Sequence, residues 1–516
     1  MAQGIISGGH LVDYFYLAAG LIAATFVATC IYNVTFHPLA KIPGSKLAAM
    51  TGLYEFWFDV VRDGTYLWQI ERMHEKYGPI IRINPREVHI RDSQYYNSIY
   101  TAGARKVNKD AATVGAFAVP TSVAATVDHH HHRARRGYLN PYFSKRSILG
   151  MEPMMHERLG KLIERLEDLR QKNEVVTLDS AFSALTADII TERFYGENFD
   201  YLDIPDFKVV VTEAFLGVSL IFHLARFIPG LVSTLKKMPI PVIRMILPPV
   251  ADLLELQEEM KQKILRSLAD DEKENKGVIV AAIGDPDIPA PERQIDRLLD
   301  EGTVIIFAGT ETSSRALSVG MFHLLNDKTH LHNLREELKG LPFRPDNDYT
   351  MAELEVLPYL TGVVHEALRL SFGPVSRLPR VATHEALQYG DYAIPPGTPV
   401  AQSTYFVHTD SSVYPNPHSF DPDRWTRAAK EGVALNRYLV NFTKGGRQCI
   451  GVQMAFTELY LTFARLVKTF EMDLHETSME DVQIHHVRIV GYPKKAKGTS
   501  NPRGEIMVKV TGRVDH

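Results

Sequence analysis

The stretch "PERQIDRLLDEGTVIIFAGTETSSRALSVGMFHLLND", residues 291–327, constrains the fold more than any other part of the chain. Its apolar residues recur at helical spacing, Pro291 suits a first helical turn, and at the usual rise per residue the helix would run about 50 Å. A helix of that length has to cross the domain that contains it. Residues 304–308 are apolar on every side, as a helix surrounded by protein requires. They run directly into Gly309, Thr310, Glu311 and Thr312. A glycine inside a helix costs about 1 kcal/mol against alanine, so something has to approach the backbone there. Ala308 and Thr312 are four residues apart and share a face. A Gly-Thr bend in a core helix occurs about as often without a function as with one, so this segment alone assigns no chemistry.

Periodicity predicts further helices near 152–172, 181–195, 206–223, 249–268, 358–371 and 450–470, with strand-like segments near 79–91, 378–400 and 484–511. The fold class is therefore mainly α with small β-sheets. There is no internal repeat, and no Pro/Gly/Ser-rich stretch divides residues 45–516, which are expected to form one large catalytic domain. With 516 residues and 45% apolar content the chain can bury a large core, and a net charge of -4 gives it no general attraction to nucleic acid.

The segment "LVDYFYLAAGLIAATFVATCIY", residues 11–32, carries Asp13 as its one charge. As a helix it reaches about 30 Å, the thickness of a bilayer core. The first ten residues contain no Lys or Arg, and the first basic residues, Lys41 and Lys46, follow the run, unlike a cleaved signal peptide. Residues 1–35 are thus expected to be a single-pass membrane anchor with the body in the cytosol. The alternative is a helix buried at the domain edge. In "FHPLAKIPG", Pro38, Pro43 and Gly44 predict a stiff, extended link over 36–44. Asn33-Val-Thr35 and Asn441-Phe-Thr443 match glycosylation sequons, but both would face the cytosol, so neither is expected to be used. Two cysteines, Cys30 and Cys449, make no disulfide framework and point to a reducing compartment.

Cys449 sits in "FTKGGRQCIG", residues 442–451, a glycine-rich turn ahead of a predicted helix. A helix amino terminus favours a thiolate through its dipole and its free N–H groups, and Gly445 and Gly446 let the chain turn those groups toward the sulfur. A buried structural cysteine or a hydrolytic nucleophile would explain neither these glycines nor Arg447. Elsewhere, Glu366 and Arg369 lie three apart on a helix in "HEALRLS", and Arg424 in "FDPDRW" could add a second guanidinium to the same carboxylate. On a surface such a pair contributes a few tenths of a kcal/mol; buried, it is a fixed ionic hub. The four histidines 129–132 are expected to be solvated residues ahead of a helix, with a metal site as the alternative.

Four motifs in this order, "AGTETS" from 308, "EALR" from 366, "FDPDRW" from 420 and "FTKGGRQCIG" from 442, resemble those of the cytochrome P-450 family over residues 36–512. The cysteine signature Phe-x-x-Gly-x-Arg-x-Cys-x-Gly is met at every fixed position. "FHPLAKIPG" and "HRARRGYLNPYFSKRS" are similar to filamentous-fungal members that tailor terpenoids and polyketides. The resemblance implies haem b held by an axial Cys449 thiolate, with Phe442 over the sulfur side, and with Gly451, Ala308 and Gly309 close to the macrocycle. It gives Arg447, Arg380 and Arg136 to the haem propionates, and here the chain departs from the pattern: His132 stands where many relatives have tryptophan. It gives Thr312 and Glu311 the delivery of protons to bound dioxygen, and Glu366, Arg369 and Arg424 the ion-pair hub. A hydrophobic substrate would lie among 111–126, 215–223, 304–308, 374–378 and 487–490. Electrons would come from NADPH through a separate NADPH-cytochrome P-450 reductase, with cytochrome b5 as a further donor, at the endoplasmic reticulum membrane. A haem-thiolate isomerase or dehydratase needing no reductase, and a non-catalytic haem- or lipid-binding membrane protein, are the alternatives.

Overall fold

A computed structural model describes residues 8–102, 105–269, 277–494 and 504–514. The long central helix is Ile295–Asn326, 32 residues. Pro291 belongs instead to a separate 3-10 turn, Ala290–Glu292, and the chain is extended again at Gln294 before the helix starts. Helices Leu178–Tyr195, Val210–Phe227, Pro358–Ser371 and Val452–Thr469 pack around it. Their apolar faces, with that of Glu152–Gln171, form the main core. The helix expected at 206–223 begins four residues late because Phe207, at φ 54°, ends a turn first.

Five short strands make the largest sheet, in the order Ile80–Arg82, Val88–Ile90, Pro399–Ala401, Arg380–Ala382, Val107–Lys109. Its last pair is antiparallel and sets Lys109 opposite Arg380. A second sheet joins Val175–Thr177, Met507–Arg513 and Phe470–Leu474. The three-residue strands within 79–91 and 378–400 were expected, whereas Val107–Lys109 and Val175–Thr177 lie outside the expected segments and are too short to show a two-residue period.

Helix Gly8–Thr35 begins the described chain. Its Asp13–Thr35 portion is long and apolar enough to cross a membrane, and its side chains over 13–29 are exposed, so it is not a helix packed at the domain edge. Residues 36–44 are not the extended link expected from their prolines. They fold into turns, because Leu39 and Ile42 are themselves buried against the first strands of the large sheet. The Asn33 amide donates to the Met50 carbonyl and the Asn441 amide to that of Leu368, so both sequon side chains are engaged internally.

The four histidines form the first turn of helix His129–Leu139, not a solvated segment ahead of one. Asp128 caps that helix by accepting from the His131 N–H. His130 and His131 are exposed, but His132 faces inward and is buried.

Candidate functional site

The cysteine loop is shaped by its backbone. Gly445 has φ 75°, and a Cβ there would stand 2.2 Å from the Thr101 carbonyl oxygen, so only glycine fits. Gly445 therefore positions the loop and does not itself border the cavity described below. The Gly446 N–H donates to Thr101 O at 3.2 Å and the Cys449 N–H to Phe442 O at 2.8 Å, closing the turn just ahead of helix Val452–Thr469.

Cys449 opens onto a large cavity between the cysteine loop and the central helix. The thiol is exposed to that space. Burial pushes its pKa up, against a hydrogen bond from the Gly451 N–H and the charge of Arg136. The helix terminus thus does not by itself secure the thiolate expected from the sequence; a metal cation at the sulfur would.

One wall of the cavity is strongly cationic. Arg447 donates to the carbonyls of Thr126 and Val127 at 2.6 and 2.7 Å, leaving its Nε without a partner. Arg380 donates to Leu378 O at 3.0 Å and lies 5.0 Å over the Tyr100 ring. Arg136 donates to Gln448 O and Lys109 to Ala124 O. Among the described residues none of these four forms a salt bridge with a carboxylate. Burial and the three arginines hold the Lys109 pKa well below its usual value. Burial and Arg380 lower Arg447 to about 10, and burial followed by Arg447 takes His132 down to about 2, keeping it neutral. Haem fits this donor set: a thiol facing the cavity for a metal, and a buried cation cluster for two propionates. Lys109 escaped sequence reasoning because only its register opposite Arg380 brings it there.

The facing wall comes from the central helix. Ala308 is open to the cavity, and the Thr312 hydroxyl donates to the Ala308 carbonyl at 2.6 Å. The close approach expected at Gly309 is made by a neighbouring helix: a Cβ there would meet Ile190 Cδ1 at 2.3 Å. Burial raises the Glu311 pKa to about 8, and Asp179 and Glu213 add to the rise. Glu458, which sequence reasoning also missed, borders the same cavity, and burial raises it to about 8 against a hydrogen bond from Ser313. Much of the rest of the lining is apolar, with Phe117, Phe215, Phe307 and Ile489 from the expected segments. Phe222, His223 and Val487 border a separate small cavity instead.

Glu366 and Arg369 are fully buried and joined by two hydrogen bonds of 2.8 and 2.7 Å, with Arg424 Nε 3.3 Å from the same carboxylate. The structure brings this hub together away from the cavity. His408 links it to the cysteine loop: its Nδ1–H donates to Arg369 O at 2.9 Å, and its Nε2 accepts the Val440 N–H at 2.9 Å.

A family model described as Cytochrome P450 matches residues 53–498. The chain is 56% identical to "Cytochrome P450 monooxygenase TRI4" of Trichoderma arundinaceum over 490 residues, 95% of each chain. It is 52% identical to "Cytochrome P450 monooxygenase SAT11" of Stachybotrys chartarum, covering 99% of this chain and 97% of that one. Among solved structures, "Retinoic acid bound cyanobacterial CYP120A1" shares the fold at a TM-score of 0.67 and 21% identity, covering 86% of this chain and 94% of that one. Near-full-length likeness and a common fold thus agree with the cysteine loop and its cavity, and the chain belongs to the cytochrome P450 family as a monooxygenase, an oxidoreductase.

Proposed function

We propose that this monooxygenase inserts one oxygen atom from O2 into a hydrophobic terpenoid or polyketide intermediate of fungal secondary metabolism. Its electrons come from NADPH through a separate NADPH-cytochrome P-450 reductase, with cytochrome b5 as a further donor. Residues 1–35 anchor it in the endoplasmic reticulum membrane, and residues 45–516 act as one catalytic body in the cytosol. One observation carries this reading: a thiol and four basic side chains without carboxylate partners among the described residues open onto a single large cavity whose remaining lining is mainly apolar. Haem, when bound, supplies dioxygen activation, which a thiolate ligand favours.

The chain's own residues then divide the work. Cys449 provides the thiolate, with Phe442 beside it and Gly451 at the start of the helix that follows. Arg447, Arg380, Arg136 and Lys109 would hold the two propionates, and neutral His132 could donate a hydrogen bond beside them. Ala308 would border the macrocycle, while Gly309 lets the helix carrying Ile190 pack close behind it. Glu311, protonated near neutral pH because of its burial, holds a proton that the Thr312 hydroxyl passes into the cavity. The apolar walls exclude water and admit an uncharged substrate.

The test is the absorption of the reduced protein under carbon monoxide, which should show the red-shifted Soret band of a thiolate complex and lose it in Cys449→Ala. A variant that keeps both the band and turnover would overturn the ligand assignment. Product formation without NADPH or reductase would favour the isomerase reading.

A further inference from the structure

Residues 53–61 form a helical segment, Leu53–Phe56 continuing as the π-type turn Trp57–Val61, that is built inside out. Leu53, Trp57 and Val61, four residues apart, are 61%, 50% and 52% exposed, while Glu55 and Asp59 on the same segment are 3% and 5% exposed. A helix on the surface of a water-soluble body does the reverse. Its carboxylates are turned inward to meet buried arginines. Arg226 reaches Glu55 and, at 3.2 Å, Asp59; Arg377 reaches Glu55 and, at 3.1 Å, Glu87. Arg226 and Arg377 hold the Glu55 carboxyl down to about 2 although burial alone would raise it.

Both arginines border the small cavity, each on an element that continues to the large one. Arg226 ends helix Val210–Phe227, which contributes Phe215 and Val218 to it, and Arg377 precedes Leu378 and Arg380. Phe56 packs edge-on against Phe227 at 5.2 Å, adding an apolar tie beside the ionic one.

What covers the outward stripe follows from its continuity with the N-terminal helix. The Asn33 amide donates to Met50 O at 3.0 Å, and Arg82, 1% exposed, donates at 2.6 Å to both Asn33 O and Pro85 O. The apolar helix is therefore fixed at its end to the segment that leads into the stripe, and Leu47 between them is 61% exposed. We propose that Leu53, Trp57 and Val61 contact the lipid bilayer, and that Glu55 and Asp59 fasten this lipid-contacting segment to the end of helix Val210–Phe227 through Arg226 and to the loop before Arg380 through Arg377. The proposal rests on the reading that the N-terminal helix spans a membrane. Apolar side chains gain by entering the acyl region, and the buried acids transmit the position of the segment to that helix and that loop.

The chain has three tryptophans, so the emission of the full-length protein minus that of Trp57→Phe isolates Trp57. In phosphatidylcholine vesicles, lipids brominated near the interface should quench this component, and more strongly than lipids brominated near the chain ends. Absence of quenching in protein that survives a carbonate wash overturns the lipid contact and leaves the span standing. Release of the protein by carbonate overturns the span itself. Fastening is read from carbon monoxide rebinding after flash photolysis of the haem-bound fraction in the same vesicles. Trp57→Glu should change the rate several-fold in the native background and leave it unchanged with Arg226→Gln, or with Glu55→Gln if the first variant does not fold. Equal effects in both backgrounds, or none in either, overturn the fastening.

Discussion

Replacing Glu366 by glutamine keeps the side-chain shape and removes one charge at a site with no access to water. The carboxylate accepts from Arg369 Nε and Nη2 at 2.8 and 2.7 Å, from the Asp421 N–H at 2.9 Å and from Trp425 Nε1 at 3.1 Å, and it neutralises Arg424 at 3.3 Å. An amide offers one acceptor oxygen and turns an NH2 toward donors, so two buried guanidinium groups lose their counter-charge. Breaking a buried pair from one side costs about 3–5 kcal/mol. Against a total stability of roughly 5–15 kcal/mol, that is about a fifth of the whole or more, or about two to four powers of ten in the unfolding equilibrium. The effect should reach the cysteine loop, because His408 passes the position of Arg369 to Val440, two residues before Phe442. Urea unfolding of the full chain in detergent, followed by tryptophan emission and haem content, measures both. The midpoint should fall sharply and haem be lost early. The combination Glu366→Leu, Arg369→Met, Arg424→Leu removes all three charges and should recover much of the stability, since desolvation of the ions is removed too. An unchanged midpoint in Glu366→Gln would refute the reasoning. Recovered stability with normal haem retention in the apolar combination would show that the hub has no positioning role.

Glu458 has a folded pKa of about 8 against an ordinary 4.5, so from about pH 4.5 to 8 the folded chain keeps a proton that the unfolded chain has released. Stability should therefore fall as pH rises through this window, and Glu458→Gln should flatten the fall in unfolding midpoints between pH 5 and pH 8. Thr312→Ala should still take up haem and substrate yet lower the ratio of product to NADPH consumed in a reconstituted reductase assay, within the roughly 10²–10⁴-fold range of a proton-transfer contribution. An unchanged ratio would leave its hydroxyl with only the bond to the Ala308 carbonyl. Haem-depleted protein should be stabilised by millimolar pyrophosphate through the cation cluster, and Lys109→Met should weaken that gain in thermal midpoint; an equal gain in the variant would exclude Lys109 from the anion site.

The central helix, the cysteine loop and the ion-pair hub were legible because each is written in contiguous residues. The long apolar run, the glycines around Cys449 and the Glu366–Arg369 spacing are local patterns that survive in one dimension. What sequence missed is non-local. Lys109 and Arg380 are 271 positions apart and meet only through strand register. Glu458 looks like an ordinary helix residue until the central helix packs over it. The turns of 36–44 replaced an extended link because Leu39 and Ile42 found partners in the sheet, a gain that the local preferences of Pro38 and Pro43 do not report. The close approach at Gly309 was foreseen and its partner was not, since Ile190 comes from a different helix.

The site also shows why neither charge pattern nor helix dipole could be judged from the motif alone. At Cys449 the helix terminus and Arg136 favour the thiolate, yet burial outweighs them and the thiol pKa rises. Across the cavity, burial lowers the pKa values of Lys109, Arg136, Arg380 and Arg447, and mutual repulsion adds to this at Lys109 and Arg447. Both shifts disfavour the charged form that ligand binding needs. A metal cation at the sulfur and a pair of carboxylates at the cations would reverse both at once. Haem carries the two on one rigid frame, so binding at one end prepares the other. The protein's electrostatics are thereby tied to uptake of the whole cofactor, and an isolated metal ion or carboxylate would satisfy only half of the site.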